Sequence, residues 1–421
     1  MRFQLLVLSG LLLVGCGGDR SRRDRPADQT EPQTKTPTVG QVHLFLETSA
    51  SMGGYLRGNT DFKNIVAEVA TKANLIHPVT VWTITGKPAK YPGDVAAFVR
   101  GMATTPLANG KSSELHNVFR QVGERARNND IALLVSDCIL SFPDAEIRRN
   151  PEINRENAQS VLKPDIISAF SAFSQQGLGV VVYAFTSPFN GTYYDYRNGK
   201  HALTDESRPF YIWVIGKQNL LTDFTRQLRE RLSAKPAKQQ TFGAVGAVNT
   251  VNMLYSLNRK GEWRAGRGGI SELRARPQNP AEFAVGVDLA QLPDYAQNPA
   301  FLKENLVVTA PNATVKLVNV QRRASLTDTD RLKPAEQKLL SSSSHVLTFR
   351  VETLLDDRVS MAVKLPARAD TWYADWSTMD DTKPATRRNK TFALVHLMDG
   401  VREAYQNNAN NFVQFALTLE K

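Results

Sequence analysis

Cysteine is nearly absent from this chain of 421 residues, with only Cys16 and Cys138 present. A disulfide framework is therefore excluded, and the fold has to be held by an apolar core. At 42% hydrophobic residues the chain is long enough for two such cores. Histidine is also scarce, at 6 residues, and none stand at metal-ligand spacing. Together with the lack of paired cysteines, this argues against a zinc site. There is no Gly-x-Ser-x-Gly elbow and no phosphate-cradling P-loop. No apolar run approaches the ~18 residues a membrane-crossing helix needs. Basic residues outnumber acidic ones, 52 to 41, for a net charge of +11. The excess lies in scattered segments such as Arg259–Arg267 and Arg387–Lys390. No basic patch is interleaved with aromatics in the way nucleic-acid binding uses, so a solvated positive surface is expected and no nucleic-acid partner.

What is present begins at the N-terminus. Arg2 supplies a positive charge, followed by a mostly apolar run from Leu5 to Val14. This is the layout of a secretory signal. As a helix the run would rise only ~15 Å, half of a ~30 Å hydrocarbon core, so it is not a transmembrane anchor. Leu13-Val14-Gly15-Cys16 resembles a bacterial lipobox. The resemblance implies that residues 1–15 are removed and that Cys16 carries the lipid, palmitate included. Gly17, and not Asp, follows Cys16. By resemblance to the enterobacterial sorting rule, this points to the outer membrane, facing the periplasm or the cell surface. Residues 16–40 are polar and lack aromatics. Such a segment buries too little surface to offset its ordering entropy and reads as a disordered tether reaching ~25–30 Å. Its arginines, among them Arg22 and Arg23, would sit near anionic lipid and add to attachment.

Residues 41–232 alternate between strand and helix patterns. Val42–Glu47 is almost continuously apolar, as expected for a strand covered on both faces. Helix spacing runs from Thr60 to Lys72, strand character from Val79 to Ile84, and helix again from Leu115 to Arg127. Ile131–Val135, Gly179–Phe185 and Phe210–Ile215 read as strands, and Lys163–Gln175 and Asn219–Leu232 as helices. The alternation predicts an α/β fold built on a doubly wound, mostly parallel sheet. In such sheets ligands bind at the carboxyl ends of the strands. Two polar clusters fall there: Glu47-x-Ser49-x-Ser51 after the first strand, and Ser136-Asp137 after Ile131–Val135. A third, Gly110-Lys111-Ser112-Ser113-Glu114, precedes a helix. Short oxygen-bearing side chains on three loops are what a hard divalent cation needs.

These residues resemble the von Willebrand factor A domain, which carries Asp-x-Ser-x-Ser after its first strand, a Thr at a later helix start and an Asp after its fourth strand. In that family they form the metal-ion-dependent adhesion site, MIDAS. Here Ser49 and Ser51 match the two serines and Asp137 the distal aspartate, while Ser113 best matches the threonine, with Ser112 as its neighbour alternative. Glu47 replaces the first aspartate, and Cys138 stands where glycine often follows the last one. The resemblance implies a Mg²⁺ (or Mn²⁺ or Ca²⁺) site formed by Glu47, Ser49, Ser51, Ser113 and Asp137. It also implies a Rossmann-like fold over residues 41–232, with a large insertion around 139–162. The competing reading is a degenerate site whose serines and aspartate merely cap helices and close loops.

Residues 189–209 form a tyrosine-rich loop near the predicted binding edge. Tyr193, Tyr194 and Tyr196 are candidate anchors for a protein partner; the alternative is packing against the second half. Cys138 reads as an inert buried thiol, and the pairs Asp356-Asp357 and Asp380-Asp381 as solvated turns. Beyond a polar break at 233–240, residues 244–421 change pattern. Short apolar runs at 283–289, 306–309, 314–320, 345–352 and 360–364 suggest a β-sandwich-like domain. The aromatic cluster Trp372–Trp376, a C-terminal helix over Thr391–Tyr405 and a last strand over Phe412–Leu419 complete it. The expectation is a membrane-anchored exported lipoprotein, not an enzyme, that binds an unidentified protein partner. The alternative is a structural or assembly lipoprotein on a metal-free scaffold.

Overall fold

A computed structural model describes residues 38–421, apart from 106, 109, 111–112, 244–247, 267, 291, 293, 328, 368–369 and 406–410. The signal, Cys16, all but the end of the tether and Ser112 lie outside the described residues. The first half contains strands β1 (Val42–Glu47), β2 (Val79–Ile84), β3 (Pro88–Lys90), β4 (Ile131–Ser136), β5 (Leu178–Tyr194), β6 (Lys200–Lys217) and β7 (Lys238–Phe242). Its helices are α1 (Gly53–Leu56), α2 (Asp61–Ile76), α3 (Val95–Thr104), α4 (Leu115–Arg125), α5 (Asp144–Arg149), α6 (Ile153–Asn157), α7 (Lys163–Gln175) and α8 (Gln218–Arg231). Helix starts follow local chemistry. Thr60 accepts from Lys63 N–H to begin α2, and Asp94 accepts from Ala97 N–H at 2.8 Å to begin α3.

The strands form one sheet in the order β3-β2-β1-β4-β6-β5-β7. β1 lies between β2 and β4, parallel to both. Every residue of β1 and β4 is buried, which explains their uninterrupted apolar character. The right side departs from a wholly parallel sheet. β5 and β6 form one long hairpin, and β6 runs antiparallel to β4. Strands β1, β2, β4 and β5 still share one direction, with β3, β6 and β7 opposed. Helices cover both faces, α2, α3 and α8 on one and α4 and α7 on the other. In α4 the apolar residues Leu115, Val118, Phe119 and Val122 fall on one face, and all four are buried. Each contributes roughly 1.5–3 kcal/mol by leaving water.

The second half contains β8 (Val251–Leu254), β9 (Glu262–Gly266), β10 (Gly269–Arg274), β11 (Ala281–Val287), α9 (Pro299–Asn305), β12 (Val307–Thr309), β13 (Ala313–Arg322), α10 (Pro334–Ser341), β14 (His345–Leu354) and β15 (Arg358–Pro366). Then follow β16 (Ser377–Thr378), α11 (Pro384–Arg387), β17 (Thr391–Phe392), α12 (Leu394–Tyr405) and β18 (Asn411–Glu420). A five-stranded sheet, β12-β15-β18-β10-β9, and a four-stranded sheet, β13-β14-β11-β8, contribute to one shared core. Met361 and Phe415 enter it from the first sheet, Phe283 and Phe349 from the second. The Asp356-Asp357 pair sits at an exposed turn between β14 and β15, as expected.

The C-terminal helix does not belong with this sandwich. Leu394, Leu397, Met398, Val401 and Tyr405 of α12 are buried in the core of the first half, where the helix packs against α7. Trp372 and Tyr373 lie in the same core, and Trp372 donates to the Gln239 carbonyl of β7 at 3.2 Å. The chain thus returns to the first sheet over 372–405 before β18 rejoins the sandwich. The reason is apolar area: α12 carries more apolar surface than a solvated helix does, and α7 offers a face to cover it.

The returning segment also grips the β5–β6 hairpin. Asp381, read from sequence as part of a solvated turn, is fully buried. Its carboxylate accepts from Tyr193 Oη and, at 2.9 Å, from Tyr196 N–H. Buried Arg208 donates to Tyr193 Oη at 3.0 Å and to the Arg387 carbonyl. Arg387 in turn forms a two-pronged pair with Glu206, at 2.9 and 3.3 Å. Burial raises the Asp381 carboxyl above the usual carboxylate range, and its hydrogen bonds and Arg208 pull it back. Removing one member strands the others in low dielectric. Asp381→Ala is expected to cost about 3 kcal/mol or more of unfolding free energy, read as a lowered urea midpoint with an unchanged denaturant slope.

Candidate functional site

The parallel pairing of β1 with β4, Leu46 opposite Val135, brings their carboxyl ends side by side. The loops that leave them carry Glu47, Ser49 and Ser51 on one strand and Asp137 on the other. Ser113 arrives just before α4. All five line one cavity of about 550 Å³. The structure therefore brings the whole predicted donor set together. Ser49 Oγ donates to Glu47 Oε1 at 2.8 Å and lies 3.0 Å from Ser51 Oγ. The other carboxylate oxygen, Glu47 Oε2, is buried without a hydrogen-bond partner, and so is Ser113 Oγ. Two orphaned buried oxygens facing one cavity are a cost the fold bears unless something binds them.

Asp137 is 4% exposed. Burial pushes its pKa up to about 7, and the negative charge of Glu47 pushes in the same direction. The Ser51 hydroxyl, the Ile139 N–H and Arg208 oppose the shift. Hard oxygen donors, two carboxyls and unsatisfied acceptors fit a divalent cation such as Mg²⁺. Among the described residues no three or more His, Cys, Asp or Glu side chains are grouped so as to hold a metal ion by themselves, so any such site would depend on the serines. Residues Ser49, Ser51, Ser113, Glu47 and Asp137 would hold the ion, which would supply an electrophilic centre for a partner's carboxylate.

Cys138 adopts φ +57°, the left-handed region in which glycine sits without strain. Its conformation is held locally. Its N–H donates to Ser136 Oγ at 2.8 Å, and Trp213 Nε1 donates to its Sγ at 3.0 Å. Burial pushes the thiol pKa well up. The side chain fills the core below the site.

The tyrosines divide. Tyr193 and Tyr196 are 1% and 2% exposed, so they are not the surface anchors that the sequence suggested. The segment is no loop. It is the outer reach of the β5–β6 hairpin, closed at Tyr194–Lys200. Tyr193 joins the Arg208 cluster, and Tyr196 stacks on Phe392 at 5.2 Å between ring centres. Tyr194 alone of the three is half-buried, and Tyr194 and Tyr196 both line the cavity. Beyond these tyrosines, sequence reasoning missed the cavity walls: Asp144, Arg148 and Asn154 from the insertion, and Asn198 and Lys200 from the hairpin tip. The one available hint was that the insertion leaves a strand at its carboxyl end, where α/β sheets place ligands.

No family model and no curated protein matches the chain. A similar solved structure is a von Willebrand factor type A protein from Catenulispora acidiphila, 12% identical, with a TM-score of 0.18. The similarity covers 49% of this chain and 62% of that one, so the chain spans about three-fifths of its length. At that score the likeness is weak and adds nothing to the site.

Two outcomes follow from the electrostatics. A carboxyl whose folded pKa lies above its unfolded value favours folding at low pH and loses that contribution as pH rises through the folded pKa. In chelator, the melting temperature should therefore fall between pH 5 and 8, and Asp137→Asn should flatten the fall. The Cys138 thiol should resist maleimide in the folded protein and react on unfolding.

Proposed function

We propose that the chain is an exported lipoprotein, held to a membrane by Cys16, that binds a protein partner through its von Willebrand factor A-like half. The grip runs through a divalent cation, Mg²⁺ or alternatively Mn²⁺ or Ca²⁺, at a variant MIDAS formed by Glu47, Ser49, Ser51, Ser113 and Asp137. The observation that carries this reading is the pair of orphaned oxygens, Glu47 Oε2 and Ser113 Oγ, on one cavity beside a buried Asp137. The role is binding, not catalysis. The outer membrane, facing the periplasm or the surface, is the proposed place, with the tether giving the domain reach.

A second reading has its own support. Ser49 hydrogen-bonds to Glu47 and the Ser49 and Ser51 hydroxyls to each other without any ion, as a metal-free structural scaffold would need. Calorimetric titration of Mg²⁺ and Mn²⁺ into the full chain in detergent separates the two. Saturable one-to-one heat, abolished in Asp137→Ala, supports the cation site; no heat, with a melting temperature unmoved by metal, favours the scaffold. Lipidation is checked separately. In a Gram-negative host the chain should incorporate labelled palmitate, and Cys16→Ala should not and should leave the membrane fraction.

A further inference from the structure

The serine site is not open to a flat partner surface. It lies in a cavity of about 550 Å³, the size of a small-ligand pocket. One wall is the insertion carrying α5 and α6, the other the tip of the β5–β6 hairpin, and the two are tied together. Asn154, 1% exposed, accepts from Phe142 N–H at 2.7 Å and donates to the Tyr196 carbonyl at 2.6 Å. Glu152 accepts from Tyr196 Oη at 3.1 Å and pairs with Arg155 at 2.8 Å and with Arg197. Asn198 donates to Asp144 at 3.3 Å. Walls bonded in this way are preformed, so a narrow group reaches the floor and a broad surface does not.

The same bonds decide which charges are left for a ligand. Asp195 is used up by the Arg197 and Gly199 N–H groups and by His201 Nε2 at 2.8 Å. Arg155 and Arg197 share the Glu152 carboxylate, and neither lines the cavity. Among the described residues, neither Arg148 nor Lys200 makes an ion pair, and both line the cavity, one from each wall. Lys200 lies 5.9 Å from the Tyr194 ring centre. Arg148 and Lys200 thus stand above a floor of buried oxygens, with the Asp144 carboxylate, held by the Asn198 amide, on the same lining.

We infer that the pocket selects a compact dicarboxylate, with one carboxylate directed to the cation at the floor and the second held at the rim by Arg148 and Lys200. This rests on the cation reading above, since a bare floor would repel the first carboxylate. Two sources share the chemistry: a free small diacid, or the acidic C-terminal residue of a peptide, which carries two carboxylates a few bonds apart. Arg148 and Lys200 set the requirement for two charges.

The test is calorimetry on the full chain in detergent, first with Mg²⁺ alone, then at saturating Mg²⁺ with glutarate, butyrate and N-acetyl-Gly-Glu. Glutarate or the dipeptide should bind one-to-one and butyrate at least roughly tenfold more weakly. The tighter of the first two identifies the source. The double variant Arg148→Ala/Lys200→Ala should lose that preference while still taking up Mg²⁺. Both residues are exposed, and the variant's melting temperature checks that the fold survives. Equal affinity for glutarate and butyrate, or an unchanged preference in the double variant, overturns the inference. Mg²⁺ uptake without diacid binding sinks the inference alone. No Mg²⁺ uptake sinks the cation reading and this inference with it.

Discussion

Two carboxyl groups are held out of water side by side, and much of the site's arrangement answers that constraint. The parallel register of β1 and β4 delivers Glu47 and Asp137 to the same end of the sheet. Two like charges cannot both persist there without a counter-charge. The molecule offers partial remedies. The Ser49 hydroxyl bonds to Glu47, the Ser51 hydroxyl, the Ile139 N–H and buried Arg208 oppose the shift on Asp137, and the proton stays on Asp137 to a pH near neutrality. None of these engages Glu47 Oε2, which is left buried without a hydrogen-bond partner.

Arg208 connects this site to the rest of the chain. It influences Asp137 while its guanidinium holds Tyr193 and the Arg387 carbonyl. The same residue therefore helps fix the hairpin that makes one wall of the pocket and the returning segment that covers the hairpin. Asn154 plays a matching part for the other wall. The site is thus braced from both directions by residues that do not line its floor, in keeping with the rule that a precise constellation needs its supports ordered as well.

Much of the first sheet was legible because its signals are local. Val42–Glu47 and Ile131–Val135 are apolar without interruption, Lys163–Gln175 has helical spacing, and the serine motif sits where a strand must end. The β5–β6 extension was not legible. Its residues 189–209 mix aromatics with polar groups, and what buries Tyr193 and Tyr196 is the stretch around Asp381 and Phe392, far away in sequence. The same distance hid the partner of α12, whose apolar face is plain in the sequence but whose covering surface on α7 is not. Asp381 shows the limit well: an Asp-Asp pair among threonines and lysines carries no mark of being placed beneath a tyrosine.

The return of residues 372–405 to the first sheet has a consequence for how the molecule can come apart. The chain leaves the α/β half after β7, builds most of the sandwich, comes back, and departs again for β18. Residues 37–421 accordingly form one compact unit and not a pair of beads on a string. Neither half can be shed by a single cut, and a cut just before Trp372 removes a central sandwich strand together with the cover of the first sheet. Melting is therefore a shared event, and whatever steadies the pocket at one end is felt as added resistance to unravelling at the other.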